Sequence, residues 1–395
     1  MGTPGFTRST RAEDGVRRAG SRAWALALVW REPAFVVALT ALAAVLRLYR
    51  IGDLPFGLHG DEGIVGLEAH RILDEGWIGP YVRISAGFPA GSLYLIAGVI
   101  GVLGDSVFSV RFGMALLGIA TVPIAYVAFR QAVPWRIALM AALLLTVSNW
   151  HVHLSRVAYL VIAWPFMEVI AVGFLLAGFR NGRWYCYAAA GVATGFAWYA
   201  YNAALLFPAA IAVTLCLRFL FGRGVPRLRE AMLYGIFALS ALLAAWPMLE
   251  YARDPKNDFW SHHEAVSIRS TQAYEDADTP YQKAEFYAGR ARDYFDAIAR
   301  KSVPDRADGL GVKPPIDRVT VILALLGVFI ALWRWREPLY ALSLVSLPAM
   351  ALGSILTFDG IYRRTFGIVP FIMLLAGSVL GVLWEHADRL SLPVR

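Results

Sequence analysis

Eleven apolar stretches follow one another along this chain, most near the length of about 17 to 25 residues that crosses roughly 30 Å of hydrocarbon. They lie near 34–50, 89–104, 108–130, 136–150, 159–179, 184–201, 203–221, 230–250, 318–335, 338–357 and 364–385. No single soluble core could hide so much apolar length. Inside a bilayer each backbone polar group must be satisfied within its own segment, so the expected architecture is an all-α polytopic membrane protein. Composition agrees: 58% of the 395 residues are hydrophobic and 17% charged, and the 13 Trp, 17 Tyr and 22 Phe suit rings at two water interfaces. The formal charge of +8 comes largely from Arg in short turns between apolar runs. That arrangement orients membrane spans and argues against a nucleic-acid partner. Cys186 and Cys216 both fall inside apolar runs, leaving neither a disulfide framework nor a cysteine metal site.

The turns with Arg130 and Arg136, Arg180 and Arg183, Arg218 to Arg229, and Arg334 and Arg336 are expected on the cytoplasmic side, together with a basic tail over 1–32. Between that tail and Arg130 the chain must cross an even number of times, yet three apolar stretches lie there. The stretch over 87–104 is the shortest of the three and rich in glycine, so it is read as a half-membrane helix on the outer side. About ten crossings then occupy 33–385 and place both termini in the cytoplasm, with a short tail over 386–395. The outer face receives a first loop over 51–107, a turn at 149–158 and a long loop over 251–317. Basic residues in the long loop do not contradict this, because long loops translocate regardless of charge.

The first outer loop carries Asp61 and Glu62 just ahead of Ile64, Val65, Leu67, Ile72 and Leu73, a pattern that predicts a short surface-lying helix. Two readings of the acidic pair are open. Either Asp61 caps the helix and Glu62 favours its dipole, or the pair is a carboxylate site at the membrane surface. Arg363 and Arg364 stand in another outer turn, where positive-inside bias predicts few arginines. They either snorkel to lipid phosphates or serve an anionic ligand. The turn SNWHVHLSR adds His151, His153 and Arg156. Two histidines at i and i+2 point apart on a helix, so satisfied interfacial histidines are the commoner case than a metal pair. Glu168, inside an apolar run, is either a functional acid or a cross-helix hydrogen-bonding group. In the long loop Ala284, Tyr287, Ala291, Tyr294, Phe295 and Ile298 recur at helical spacing, predicting a second surface helix within a lid over 258–312.

The segments LPFGLHGDEG, VFSVRFGMALLGIATVPIAY, SNWHVHLSR, WYAYNAALLFP and YRRTFGIVPF together resemble family 39 glycosyltransferases of the bacterial, protein-mannosyltransferase-like type, which are polytopic enzymes of the GT-C fold. The resemblance runs from about Leu46 to Gly377. It implies an inverting transferase that takes a sugar from a polyprenyl-phosphate donor and gives it to a hydroxyl on an envelope lipid, glycan or protein. It makes Asp61 the catalytic carboxylate, with Glu62 orienting Asp61 or the acceptor. Arg363, Arg364 and Arg156 become candidates for the donor phosphate. His59, Tyr199, Tyr201, Asn202, His151 and His153 become candidate sugar or acceptor contacts. Two departures stand out. Leu205 replaces an arginine common among relatives, and the stretch around Val161 offers no carboxylate before Glu168 for the divalent ion that assists some of them. No cofactor is therefore certain. A polytopic transporter or flippase, and a non-catalytic lipid-binding scaffold, are the competing classes. Against transport, the spans show no repeated halves and few broken helices at a midplane.

Overall fold

The computed structural model describes residues 31–84, 87–222, 226–257, 259–301, 311, 313–358 and 361–391. The chain runs through α1 (31–48), α2 (Gly60–Glu75), α3 (Gly91–Leu103), α4 (Val107–Arg130), α5 (Trp135–Val147), α6 (Asn149–Arg156), α7 (Ala163–Asn181), α8 (Trp184–Ala197), α9 (Leu206–Phe221) and α10 (Arg227–Arg253). It continues through α11 (Ser261–Ala265), α12 (Gln272–Glu275), α13 (Pro280–Ala299), α14 (Arg318–Trp333), α15 (Pro338–Ile355), α16 (Ile361–Arg364) and α17 (Val369–Ser391). A two-residue hairpin joins β1 (Tyr81–Val82) to β2 (Phe88–Pro89), with Tyr81 opposite Pro89. The basic N-terminal tail and the last four residues lie outside the described residues, so the expected side of the termini does too.

Each of the eleven apolar stretches contains a helix. Among the described residues six helices are long and apolar enough to cross a membrane, and α5 with α6 makes a seventh if the pair, bent by 52°, counts as one span. The expected ten is not reached on this count, because several helices are short. α8 has 14 residues and α14 has 16, about 21 and 24 Å, against roughly 30 Å of hydrocarbon. Outward faces are apolar: α10 exposes Leu239, Leu242, Leu243 and Trp246, and α14 exposes Ile322, Leu325, Leu326 and Phe329. Surfaces of that kind suit lipid rather than water.

Lipid tails are as apolar as leucine, so helices here need close van der Waals contact to associate. Gly191 and Gly195 provide it in α8. A Cβ on either would collide with a carbonyl oxygen of α10, that of Phe237 or Ala241. Gly377 and Gly381 repeat the spacing on α17, against Ala141 and Ile137 of α5, and Gly327 of α14 lies on the Leu375 carbonyl of α17. These close approaches build the frame on which the loops sit.

A helix forms at each of the two expected places. α2 turns Val65, Ala69 and Ile72 inward, while Leu67 and Leu73 of the anticipated stripe stay exposed. α13 begins with a Thr279 cap, which accepts from the Gln282 amide at 3.2 Å. Its far end is fixed by Tyr294, whose hydroxyl meets Thr365 Oγ1 at 2.8 Å. Arg290 donates to the carbonyls of Ser354 and Thr357, tying α13 to the end of α15. Residues 258, 302–310 and 312 of the anticipated lid lie outside the described residues.

Candidate active site

α2 starts with His59 as its N-cap, not Asp61. The His59 Nδ1 accepts the Asp61 amide proton at 3.2 Å, and Glu62 Oε2 accepts the His59 amide proton at 3.0 Å. The capping reading of Asp61 is thereby corrected: the ring of His59 does that work and leaves the Asp61 carboxylate free of it. The Tyr159 hydroxyl also meets Nδ1, at 2.7 Å. A backbone N–H can only donate, so Nδ1 carries no proton and the ring proton sits on Nε2. His59 keeps 45% of its side chain exposed beside Asp61.

Asp61 Oδ2 lies 2.9 Å from Arg363 Nη1, a contact across 302 residues of sequence. The same guanidinium rests over the Tyr159 ring at 4.8 Å. Asp61, His59, Tyr159 and Arg363 thus close a ring of four side chains from three separate chain segments. Asp61 keeps 38% of its side chain exposed, so the pair remains open to a ligand.

Glu62 behaves differently. Its Oε1 accepts from Arg111 Nε at 2.8 Å and from the Ala158 amide at 3.0 Å, and its Oε2 from Arg111 Nη2 and the His59 amide, both at 3.0 Å. Arg111 spends its remaining donors on the carbonyls of Ile51, Pro55 and Gly57. All five N–H groups and both carboxylate oxygens are engaged, as a buried ion pair requires. Burial would raise the Glu62 carboxyl, but the Arg111 hydrogen bonds and the two backbone amides outweigh it and hold the group below its ordinary value. The expectation that Glu62 orients Asp61 or an acceptor directly is corrected: its acceptor capacity is already filled, and it anchors the loop that presents Asp61.

Arg364 points elsewhere, into a cavity of about 180 Å³ that it shares with Tyr201, Asn202, His263, Leu352 and Leu356. Tyr201 stacks on Trp164 at 6.3 Å, and Asn202 Nδ2 donates to the Gly87 carbonyl at 3.2 Å. Burial holds the His263 imidazole below its ordinary value, with Arg364 adding to the effect.

Three further expectations change. Arg156 turns both terminal nitrogens to backbone carbonyls. Its Nη1 donates to the carbonyls of Leu46 and Arg47 at 2.9 and 3.2 Å, and its Nη2 to those of Tyr49 and Leu54 at 2.7 and 3.1 Å. It therefore closes the open end of α1, where carbonyls lack helical partners. The Tyr199 hydroxyl is spent on α10, donating to Ala244 O at 3.1 Å and accepting from Met248 N at 3.3 Å beside Pro247. His151 and His153 are both buried. Arg47, also buried, donates to His151 Nδ1 at 2.8 Å and to the carbonyls of Leu145 and Thr146 where α5 breaks into α6. Glu168 lies buried beside Trp164 and Gly367, under the turn of Arg363 and Arg364. Among the described residues no three His, Cys, Asp or Glu side chains come together as metal ligands.

Reasoning from the sequence passed over Arg111, Tyr159 and Arg47. A signal existed for two of them. Arg47 and Arg111 stand at or inside apolar runs, where an ionisable group is rare and needs partners.

This bundle, with short helices and loops gathered at one end, is the fold of the GT-C membrane glycosyltransferases. ArnT from Cupriavidus metallidurans, bound to undecaprenyl phosphate, superposes with a TM-score of 0.59 at 16% identity, over 88% of this chain and 60% of that one. The Archaeoglobus fulgidus oligosaccharyltransferase in the apo form gives 0.58 at 14%, over 91% and 52%. The archaeal oligosaccharyltransferase AglB from Archaeoglobus fulgidus, in complex with an inhibitory peptide and a dolichol-phosphate, gives 0.59 at 14%, over 93% and 53%. Within that fold, residues 89–251 match the Dolichyl-phosphate-mannose-protein mannosyltransferase family. The matched segment begins after Asp61 and ends before Arg363. The chain spans a little over half the length of the solved proteins it resembles, from 52% to 60%. No curated protein matches it in sequence.

Proposed function

We propose that this chain transfers a sugar from a polyprenyl-phosphate donor to an acceptor hydroxyl on the outer face of the membrane, inverting the anomeric carbon. The observation that carries the reading is the 2.9 Å contact between Asp61 and Arg363, which brings a base and a phosphate anchor to one place. The acceptor oxygen attacks the anomeric carbon, its proton passes to Asp61, and the bond from that carbon to the phosphate oxygen breaks. Arg363 receives the negative charge that develops on the departing polyprenyl phosphate. The His59 Nε2–H is placed to donate to an oxygen of the donor sugar. Leu205, Leu206, Val266, Leu352 and Leu356 make the Arg364 cavity a suitable seat for the first prenyl units, with the guanidinium facing the phosphate end. Undecaprenyl phosphate bound to ArnT and dolichol-phosphate bound to AglB, on the same fold, support this class of donor.

In this reading the chain crosses the membrane about ten times with its basic turns in the cytoplasm. α3 enters only the outer leaflet, and α13 belongs to a lid over the acceptor side. The acceptor is an envelope lipid, glycan or protein.

The test is transfer of labelled sugar from polyprenyl phosphate by purified protein, wild type against Asp61→Asn. Turnover that falls in a variant still folded supports the enzyme. Near-normal transfer by Asp61→Asn removes the base from Asp61. Donor binding without turnover in the wild type favours a lipid-binding scaffold, and movement of intact lipid across vesicles favours a flippase.

A further inference from the structure

The end of α9, the turn between α14 and α15 and the start of α15 line a second cavity, of about 220 Å³, which includes Arg218, Phe221, Trp335 and Arg336. It is remote from Asp61. Pro338 and Ala341 line it at the start of α15, whereas Leu352 and Gly353 line the Arg364 cavity near the other end. The 18 residues of α15 span about 27 Å, so the two cavities open toward opposite faces.

Its walls combine cationic and apolar groups. Phe221 and Trp335 meet edge to face at 5.6 Å, and the Arg336 guanidinium lies 5.5 Å over the Trp335 ring. Positive charge is in excess. Arg218 and Arg227 each lie 3.6 Å from a single carboxylate, that of Glu230, and Arg334 is taken by Glu337 at 2.6 Å. Arg336 has no carboxylate partner among the described residues, and its side chain is exposed. Leu220 and Trp333, on the same helix ends, are 65% and 90% exposed. An occupant with an anionic head and an apolar tail is matched on both counts, since guanidinium forks fit phosphate oxygens and basic pockets between membrane helices take lipid head groups.

We propose that this cavity binds the phosphate head group of an anionic phospholipid, in the leaflet opposite the candidate active site. The proposal does not depend on glycosyl transfer. Full-length protein in neutral detergent is titrated with dioctanoyl phosphatidylglycerol and with dioctanoyl phosphatidylcholine, and bound lipid is counted by native mass spectrometry. Phosphatidylglycerol should bind at least about tenfold more tightly, with a loss of about fivefold for each arginine removed in Arg218→Gln and Arg336→Gln. Arg183→Gln, outside the cavity, should keep the preference. Arg218 also neutralises Glu230, so if its variant does not fold, Arg336→Gln decides alone. Equal binding of the two lipids, or an unchanged preference in Arg336→Gln, overturns the proposal. So does displacement of phosphatidylglycerol by inorganic phosphate alone, which would make the ligand a soluble anion.

Discussion

At the start of α2, two neighbouring carboxylates sit in two different regions of the molecule. Asp61, 38% exposed, faces one guanidinium of Arg363 at a surface mouth. Glu62, 2% exposed, lies on the floor below with Arg111, and every polar atom of that pair is engaged. The floor pair has no capacity left for a ligand, so it can only hold the loop in place. The mouth pair keeps both capacity and access. Filled hydrogen-bonding capacity, more than charge or burial alone, separates a scaffold from a site here.

The largest effect is expected on rate. Asp61→Asn should lower transfer by about 10²- to 10⁴-fold while the unfolding midpoint stays near that of the wild type. A stability loss as large as that of a floor variant would break the comparison. Arg111→Met should show the reverse: a stability loss of about 3 to 5 kcal/mol, measured by thermal or denaturant unfolding in detergent, because it leaves the Glu62 charge buried and unpaired. Arg363→Ala should weaken donor binding by about 2 to 5 kcal/mol, read from polyprenyl-phosphate affinity. Unchanged affinity in both Arg363→Ala and Arg364→Ala would move the phosphate site off this turn.

Acid should sharpen the contrast. Glu62 sits below its ordinary value of 4.5 in the folded chain, so its contribution is fully present above that value and is lost as pH falls through the lower, folded one. The acid limb of the stability profile should therefore flatten in Glu62→Gln, which has no carboxyl to protonate. A profile identical to wild type would take that role from Glu62. The smallest effect belongs to His59. His59→Ala should cost about 0.5 to 2 kcal/mol as a lost cap, and Asn should restore most of it. If His59→Asn also restores full transfer, Nε2 has no part in the reaction.

The sequence by itself settled that this chain is an all-α membrane bundle, because apolar length and the need to satisfy backbone groups in lipid leave no other choice. It also put the Asp61 and Arg363 segments on record, through the motifs GLHGDEG and YRRTFG. The close approaches at Gly191, Gly195, Gly377 and Gly381 came from the packed chain, which alone shows which helix each glycine meets. Partner choice came from the tertiary structure. One-dimensional spacing could not tell that His59 rather than Asp61 caps α2, since the decision rests on a ring nitrogen also held by Tyr159, 100 residues away. Nor could it separate Asp61 from Glu62, two acids side by side in one helical turn. Rotation along that turn sends one carboxylate toward Arg111 and the other toward Arg363, and only the packed chain fixes where those two arginines stand.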